Sequence, residues 1–107
     1  MLLAQTGMKG FTVTGDTPEK FMRKIERALH KGELGKFAKM SLALPEARIA
    51  FEKMGVTEFT YTINLEGETF TATKTNEKVA FTHGFFRNEV ERELERIIHR
   101  FGGQILK

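Results

Sequence analysis

Positively charged side chains are concentrated in one segment of the chain, where their spacing suits phosphate binding. Residues 20–39 hold 7 Lys and Arg against 2 Glu, whereas the remainder holds 10 basic and 12 acidic residues. At about 100° per residue, five of these cations fall on one arc of a helix, and two more follow it. The predicted nucleic-acid-binding residues are Lys20, Arg23, Lys24, Arg27, Lys31, Lys36 and Lys39.

Two kinds of partner fit such a face. A local positive field can hold the phosphates of DNA or RNA, and without Trp in the chain or aromatic residues among the cations, base stacking is disfavoured. The first hypothesis is therefore a small non-catalytic nucleic-acid-binding module of low specificity. The alternative is a protein interaction module, an inhibitor or accessory subunit, that binds a partner or a second copy through helix 18–31 or an exposed sheet edge. Ordinary solvated surface has the same composition.

Residues for other chemistry are sparse. The chain has no Cys, one Ser (Ser41) and one Asp (Asp16), so no catalytic triad can be assembled. His30, His83 and His99 fall on separate predicted elements without the spacing of a metal-ligand pair. We therefore expect no enzyme activity, no cofactor and no metal. His83, beside Gly84, could help hold an anion at a helix start, although a backbone carbonyl is the commoner partner of such a histidine.

One helix is clearly indicated at 18–31. It begins with a capping residue, Pro at the first turn and an early acid, in the order Asp16-Thr17-Pro18-Glu19, and Gly32 ends it. Its apolar residues lie opposite the cations and predict packing on a core. They are Phe21, Met22, Ile25, Ala28 and Leu29.

Residues 57–82 predict a meander of three antiparallel strands, joined by turns at Glu66-Gly67 and Asn76-Glu77. This register pairs Ile63 with Phe70 and Ala72 with Phe81, and it directs one apolar face into the core. The inward residues of the first strand are Phe59, Tyr61, Ile63 and Leu65. The other face is predicted to meet water and carries Thr60, Thr62, Thr69, Thr71, Thr73, Thr75 and Thr82. A similar pattern near 9–15 predicts a fourth strand of the same sheet.

The remaining elements are less regular. Residues 34–44 fit either a helix or a strand, with helix slightly favoured, because both periods can be traced through their apolar residues. Pro45-Glu46 resembles a helix start, which predicts a short helix at 46–54 ended by Gly55. Apolar residues at helical spacing predict a closing helix at 86–101, and its interleaved Glu and Arg, including Glu91, are interpreted as solvated surface.

The predicted order of helix, three strands and helix over 46–101 is similar to the double-stranded RNA-binding domain. That family has a Lys-rich start to its last helix. This chain has Phe85-Phe86-Arg87-Asn88-Glu89 there, so the family's phosphate contacts do not transfer to it.

The chain as a whole predicts one α+β domain spanning 1–107, with 1–8 and 103–107 as flexible tails. Its antiparallel sheet has about four strands, and helices 18–31, 46–54 and 86–101 pack on one face. With 40% hydrophobic and 29% charged residues and a net charge of +3, the composition is that of a soluble domain. The absence of Cys, of a signal peptide and of a membrane-spanning segment predicts a cytoplasmic location and no membrane contact.

Overall fold

The computed structural model describes residues 8–53, 55–80 and 84–107. Along this part of the chain, six strands and two α-helices form a single α+β domain. In order, they are β1 (Gly10–Thr14), α1 (Pro18–Lys31), a 3₁₀ turn (Glu33–Lys36), β2 (Ala38–Ala43), β3 (Glu46–Glu52), β4 (Val56–Glu66), β5 (Thr69–Lys78), α2 (Gly84–Arg100) and β6 (Gln104–Leu106).

The strands make one antiparallel sheet in the order β2-β3-β4-β5-β1-β6. The core lies on one face of this sheet, where buried side chains of the strands meet those of both helices. Phe11, Phe21 and Phe70 form its aromatic centre, with ring centroids 5.9 to 6.3 Å apart. None of the described helices is both long and apolar enough to cross a lipid bilayer.

The predictions for α1 and β1 are confirmed. The side chain of Thr17 caps α1 by accepting a hydrogen bond from the N–H of Lys20, Pro18 occupies its first turn, and Gly32 caps its end. Four of the five predicted apolar residues are fully buried, and the fifth, Ala28, is half-buried. The helix is therefore held by one face, which leaves the opposite arc to solvent.

The predicted helix at 46–54 is wrong, because Glu46–Glu52 form strand β3 instead. Ala47, Ile49 and Phe51 are buried, whereas Glu46, Arg48 and Glu52 are exposed and Ala50 is half-buried, which is the period of a strand. Pro45 lies in the turn between β2 and β3 and does not start a helix. In the ambiguous segment 34–44, a 3₁₀ turn leads into β2, so the strand alternative applies there. Because β3 replaces the helix predicted at 46–54, the order of helix, three strands and helix does not hold over 46–101. The similarity to the double-stranded RNA-binding domain, which rested on that order, is therefore lost.

The first hairpin of the predicted meander is confirmed, with Phe59, Tyr61 and Ile63 buried as expected, but its register is wrong. Thr69 pairs with Glu66, which makes the loop Gly67-Glu68 and places Phe70 opposite Leu65, two residues from the predicted pairing. Gly67 has a φ of +63°, in the left-handed region that favours glycine at the first position of the loop. Ile63 and Phe70 still share the buried face.

The second predicted turn is also wrong. Asn76 and Glu77 lie within β5 and pair with Thr60 and Phe59, so the strand continues where the sequence predicted a reversal. Phe81 and its predicted pairing with Ala72, together with Thr82 and His83, lie outside the described residues.

Two predictions about exposure need correction, and the sheet is larger than expected. Leu65 is 60% exposed, because it lies at the end of the β4–β5 hairpin beyond the core. Thr60 is buried, although most other threonines of its face are at least partly exposed. The sheet has six described strands instead of about four. One of them is β6, within the segment predicted as a tail, which pairs with β1.

Candidate nucleic-acid interface and buried charge network

The basic face of α1 consists of Lys20, Arg23, Lys24, Arg27 and Lys31, and all five side chains are exposed. Residues 20 to 31 of a helix span about 16 Å at 1.5 Å per residue. Because the opposite face of α1 is buried in the core, these cations stand on a fixed surface. The structure thus brings together five of the seven cations that the sequence singled out.

Four of these five cations form no ion pair with another described residue. The exception is Lys24, whose Nζ lies 2.8 Å from Oδ2 of Asp16, just before the helix. The hydrogen bond from Lys24 holds the pKa of Asp16 below its ordinary value. Since 46% of the Lys24 side chain remains exposed, the pair lowers but does not remove its contribution to the positive field.

The other two predicted cations lie apart from this face. Lys36 is exposed at the end of the 3₁₀ turn that follows α1. Lys39 lies on β2, where Ala38 and Met40 pack against the core, so the alternation of the strand directs Lys39 to the opposite face of the sheet. Its Nζ is 3.2 Å from Oε1 of Glu52. Lys39 therefore does not extend the basic face.

A second cluster of charges, which sequence reasoning missed, lies between β5 and α2. The register of β4 and β5 shifts between Thr60 and Tyr61, so that Thr75 has no partner across the ladder. Because of this bulge, Lys74 and Glu77, three residues apart, both face α2. In a regular strand they would point to opposite faces.

Lys74, Glu77, Arg87 and Glu91 form the buried charge network. Nζ of Lys74 donates to Oε1 of Glu77 at 2.9 Å and to Oε2 of Glu91 at 2.8 Å. Arg87 donates from Nε and Nη2 to both oxygens of Glu77, at 2.9 and 2.8 Å. Its Nη2 also forms an ion pair with Glu91 at 2.8 Å from Oε1, an oxygen that accepts no hydrogen bond from the described residues. Both cations lie over the ring of Phe59.

Burial and charge act in opposite directions on this network. Burial favours the neutral form of Glu77, but the hydrogen bonds from Arg87 and Lys74 outweigh it and lower the pKa of Glu77. The hydrogen bond to Glu77 raises the pKa of Arg87 despite its partial burial. Burial also raises the pKa of the Tyr61 hydroxyl, and the charges of Glu91 and Glu77 add to that rise. Tyr61 therefore stays neutral beside the network.

The network joins α2 to the sheet and corrects the interpretation of Glu91 as solvated surface, since that residue is only 3% exposed. Two cations face two carboxylates, so the cluster leaves no surplus charge for a ligand. The i,i+4 spacing of Arg87 and Glu91, on the side of the Val90 and Leu94 stripe, is the sequence signal that could have revealed it.

The two described histidines do not add a site. His30 and His99 are exposed near the ends of α1 and α2, and His83 lies outside the described residues. Across 8–53, 55–80 and 84–107, no three side chains of the types His, Cys, Asp or Glu are grouped so that they could hold a metal ion.

Comparison of this chain with protein-family models, with curated proteins and with solved structures finds no match. The basic face and the buried charge network are therefore interpreted from their own geometry.

Proposed function

We propose that this protein is a small non-catalytic module that binds duplex DNA or RNA through contacts from the basic face of α1 to backbone phosphates. The observation that carries the proposal is the unpaired state of Lys20, Arg23, Arg27 and Lys31 among the described residues. Elsewhere many cations are neutralised by a nearby carboxylate, as in the pairs of Arg48, Arg96 and Lys107. When unpaired cations contact the phosphates of a duplex, they displace the counterions condensed on the nucleic acid, and this release favours binding.

The composition of this surface supports backbone contact over base recognition. The basic face has no aromatic side chain on which a base could stack, and α1 offers mainly Lys and Arg to a ligand. Phosphate contacts fix position but carry little sequence information. We therefore expect similar affinity for duplexes of unrelated sequence.

The test compares two double variants with the same change in net charge. Arg27→Gln with Lys31→Gln removes two cations from the basic face, whereas Lys78→Gln with Arg92→Gln removes two exposed cations from β5 and α2. Binding to fluorescently labelled duplexes of several sequences is measured by anisotropy at low salt. The first variant should weaken binding to every duplex, and the second should bind nearly as the wild type does. Equal loss in both variants, or no binding by the wild type, would reject the proposal.

A further inference from the structure

Strand β2 forms one edge of the described sheet, and its outer side has backbone groups that no other described strand pairs with. The N–H of Glu52 donates to the carbonyl of Phe37, and hydrogen-bonded pairs alternate along an antiparallel ladder. The N–H and C=O groups of Ala38, Met40 and Leu42 therefore point away from β3. None of them forms a backbone hydrogen bond with another described part of the chain.

This edge has few of the features that protect edge strands from pairing. Its register with β3 is regular over six residues, without a bulge or proline, and its one charge is Lys39. The inward side chains of Ala38, Met40 and Leu42 are only half-buried. A groove between β2 and α1 leaves room beside the strand and is lined by Glu19, Arg23 and Glu26, together with residues 40–42.

We propose that β2 pairs antiparallel with β2 of a second copy of this chain, with Met40 on the two-fold axis. Residues with free backbone groups alternate along β2. In a two-fold antiparallel pair, such residues lie opposite each other only if the axis passes through a residue and not between two residues. An axis at Met40 aligns Ala38 with the second copy's Leu42 and Met40 with itself, and all three free positions of each strand are then bonded. An axis at Lys39 or Ser41 leaves one of the three outside the paired strands.

Side-chain chemistry selects the same register. With Met40 on the axis, Lys39 stands opposite the second copy's Ser41, so no like charges meet across the seam. With Lys39 on the axis, two ammonium groups would face each other. The apolar side chains of Ala38, Met40 and Leu42 continue the inner face of one sheet into the next. A second copy fits this edge for reasons that do not involve nucleic acid, so the inference stands apart from the proposed function.

Cysteine cross-linking tests the register directly, because the chain has no cysteine of its own. Lys39→Cys and Ser41→Cys proteins are mixed in equal amounts and oxidised. Residues 39 and 41 of opposite copies form a non-hydrogen-bonded pair about 4.5 Å apart at Cα, within disulfide range, whereas like residues lie about 7–8 Å apart. The mixed disulfide should predominate. Predominance of either homodimeric disulfide would overturn the register, and absence of all three above random collision would overturn the pairing.

Association without cross-linking is measured by sedimentation equilibrium in the absence of nucleic acid. The wild type should dimerise, Ser41→Lys should weaken the dimer by about fivefold or more through two Lys–Lys pairs, and Ser41→Glu should hold it at least as well. Thr73→Lys, exposed in the middle of the sheet, is the control and should not change the dimer. A monomeric wild type, or equal effects of the two Ser41 variants on the dimer, would overturn the inference. A wild type that stays monomeric because its β2 edge binds an unrelated peptide instead of a second copy is one such outcome.

Discussion

Nζ of Lys74 in β5 donates a 2.8 Å hydrogen bond to Oε2 of Glu91 in α2, and both side chains are largely buried between the helix and the sheet. The bulge at Thr75 adds a second carboxylate beside Lys74, because it turns Glu77 to the side of the strand that faces α2, where Arg87 also contacts it. A local irregularity in the sheet therefore places one of the two carboxylates of the network that joins β5 to α2.

Removal of Glu91 should strongly destabilise the fold. Glu91→Ala leaves Lys74 and Arg87 with a single carboxylate in a buried site, and breaking a buried ion pair in this way costs about 3–5 kcal/mol. The measurement is the free energy of unfolding in urea. Glu89→Ala, an exposed change on the same helix, is the control and should stay within about 0.5 kcal/mol of the wild type. Equal stability of the two variants would show that the network contributes little.

The network should also make stability depend on pH through Glu77. The pKa of Glu77 is lowered in the folded protein from its ordinary value of 4.5, so its contribution is present above that value and is lost as pH falls through the folded pKa. Asp16, whose pKa is also lowered, loses its contribution in the same direction. In Glu77→Gln, the loss of stability below the ordinary pKa should be shallower than in the wild type. Urea unfolding over a pH series measures it, and an unchanged slope would contradict this account.

Tyr61 offers a test of the surroundings of the network. Its hydroxyl oxygen is buried and has no hydrogen-bond partner among the described residues. Tyr61→Phe removes an unsatisfied polar group and keeps the ring, so the free energy of unfolding should be unchanged or should rise by up to about 1–3 kcal/mol. Ile63→Val on the same face, which should cost about 0.5–1.5 kcal/mol, provides the comparison. A loss larger than that comparison would mean that the hydroxyl has a stabilising partner.

Local patterns predicted the parts of the fold that depend on local chemistry. The cap, the proline and the two faces of α1 lie within one helix, so its bounds and its buried residues followed from the sequence. For β3, the alternation of Ala47, Ile49 and Phe51 is present in the sequence, but the helix-start signal at Pro45-Glu46 competes with it. The bulge at Thr75 could not be predicted, because Glu77, the side chain that it turns inward, finds its partner Arg87 in α2, a separate element further along the chain.

The same distinction, between local chemistry and contacts with distant parts of the chain, decides how much of the candidate site could be predicted. The exposed cations of α1 share a face because of helical geometry, so that face was predictable. The pair between Lys24 and Asp16 and the position of Lys39 on the far side of the sheet depend on how the chain folds back. Burial of Glu91 likewise depends on its contact with Lys74 in β5, a separate element that comes earlier in the chain.

The central claim is that the basic face of α1 binds duplex nucleic acid through phosphates, and the salt dependence of binding tests it most directly. On duplex DNA, the logarithm of affinity should fall with the logarithm of salt concentration by about 0.9 per neutralised phosphate. Arg27 and Lys31 are the pair to change, since within the described residues neither forms an ion pair with a carboxylate as Lys24 does. Replacing both by Gln should reduce the slope by up to about 2, while Lys78→Gln with Arg92→Gln should leave it nearly unchanged. An unchanged slope in the first variant, or a wild type that does not bind at low salt, would contradict the claim.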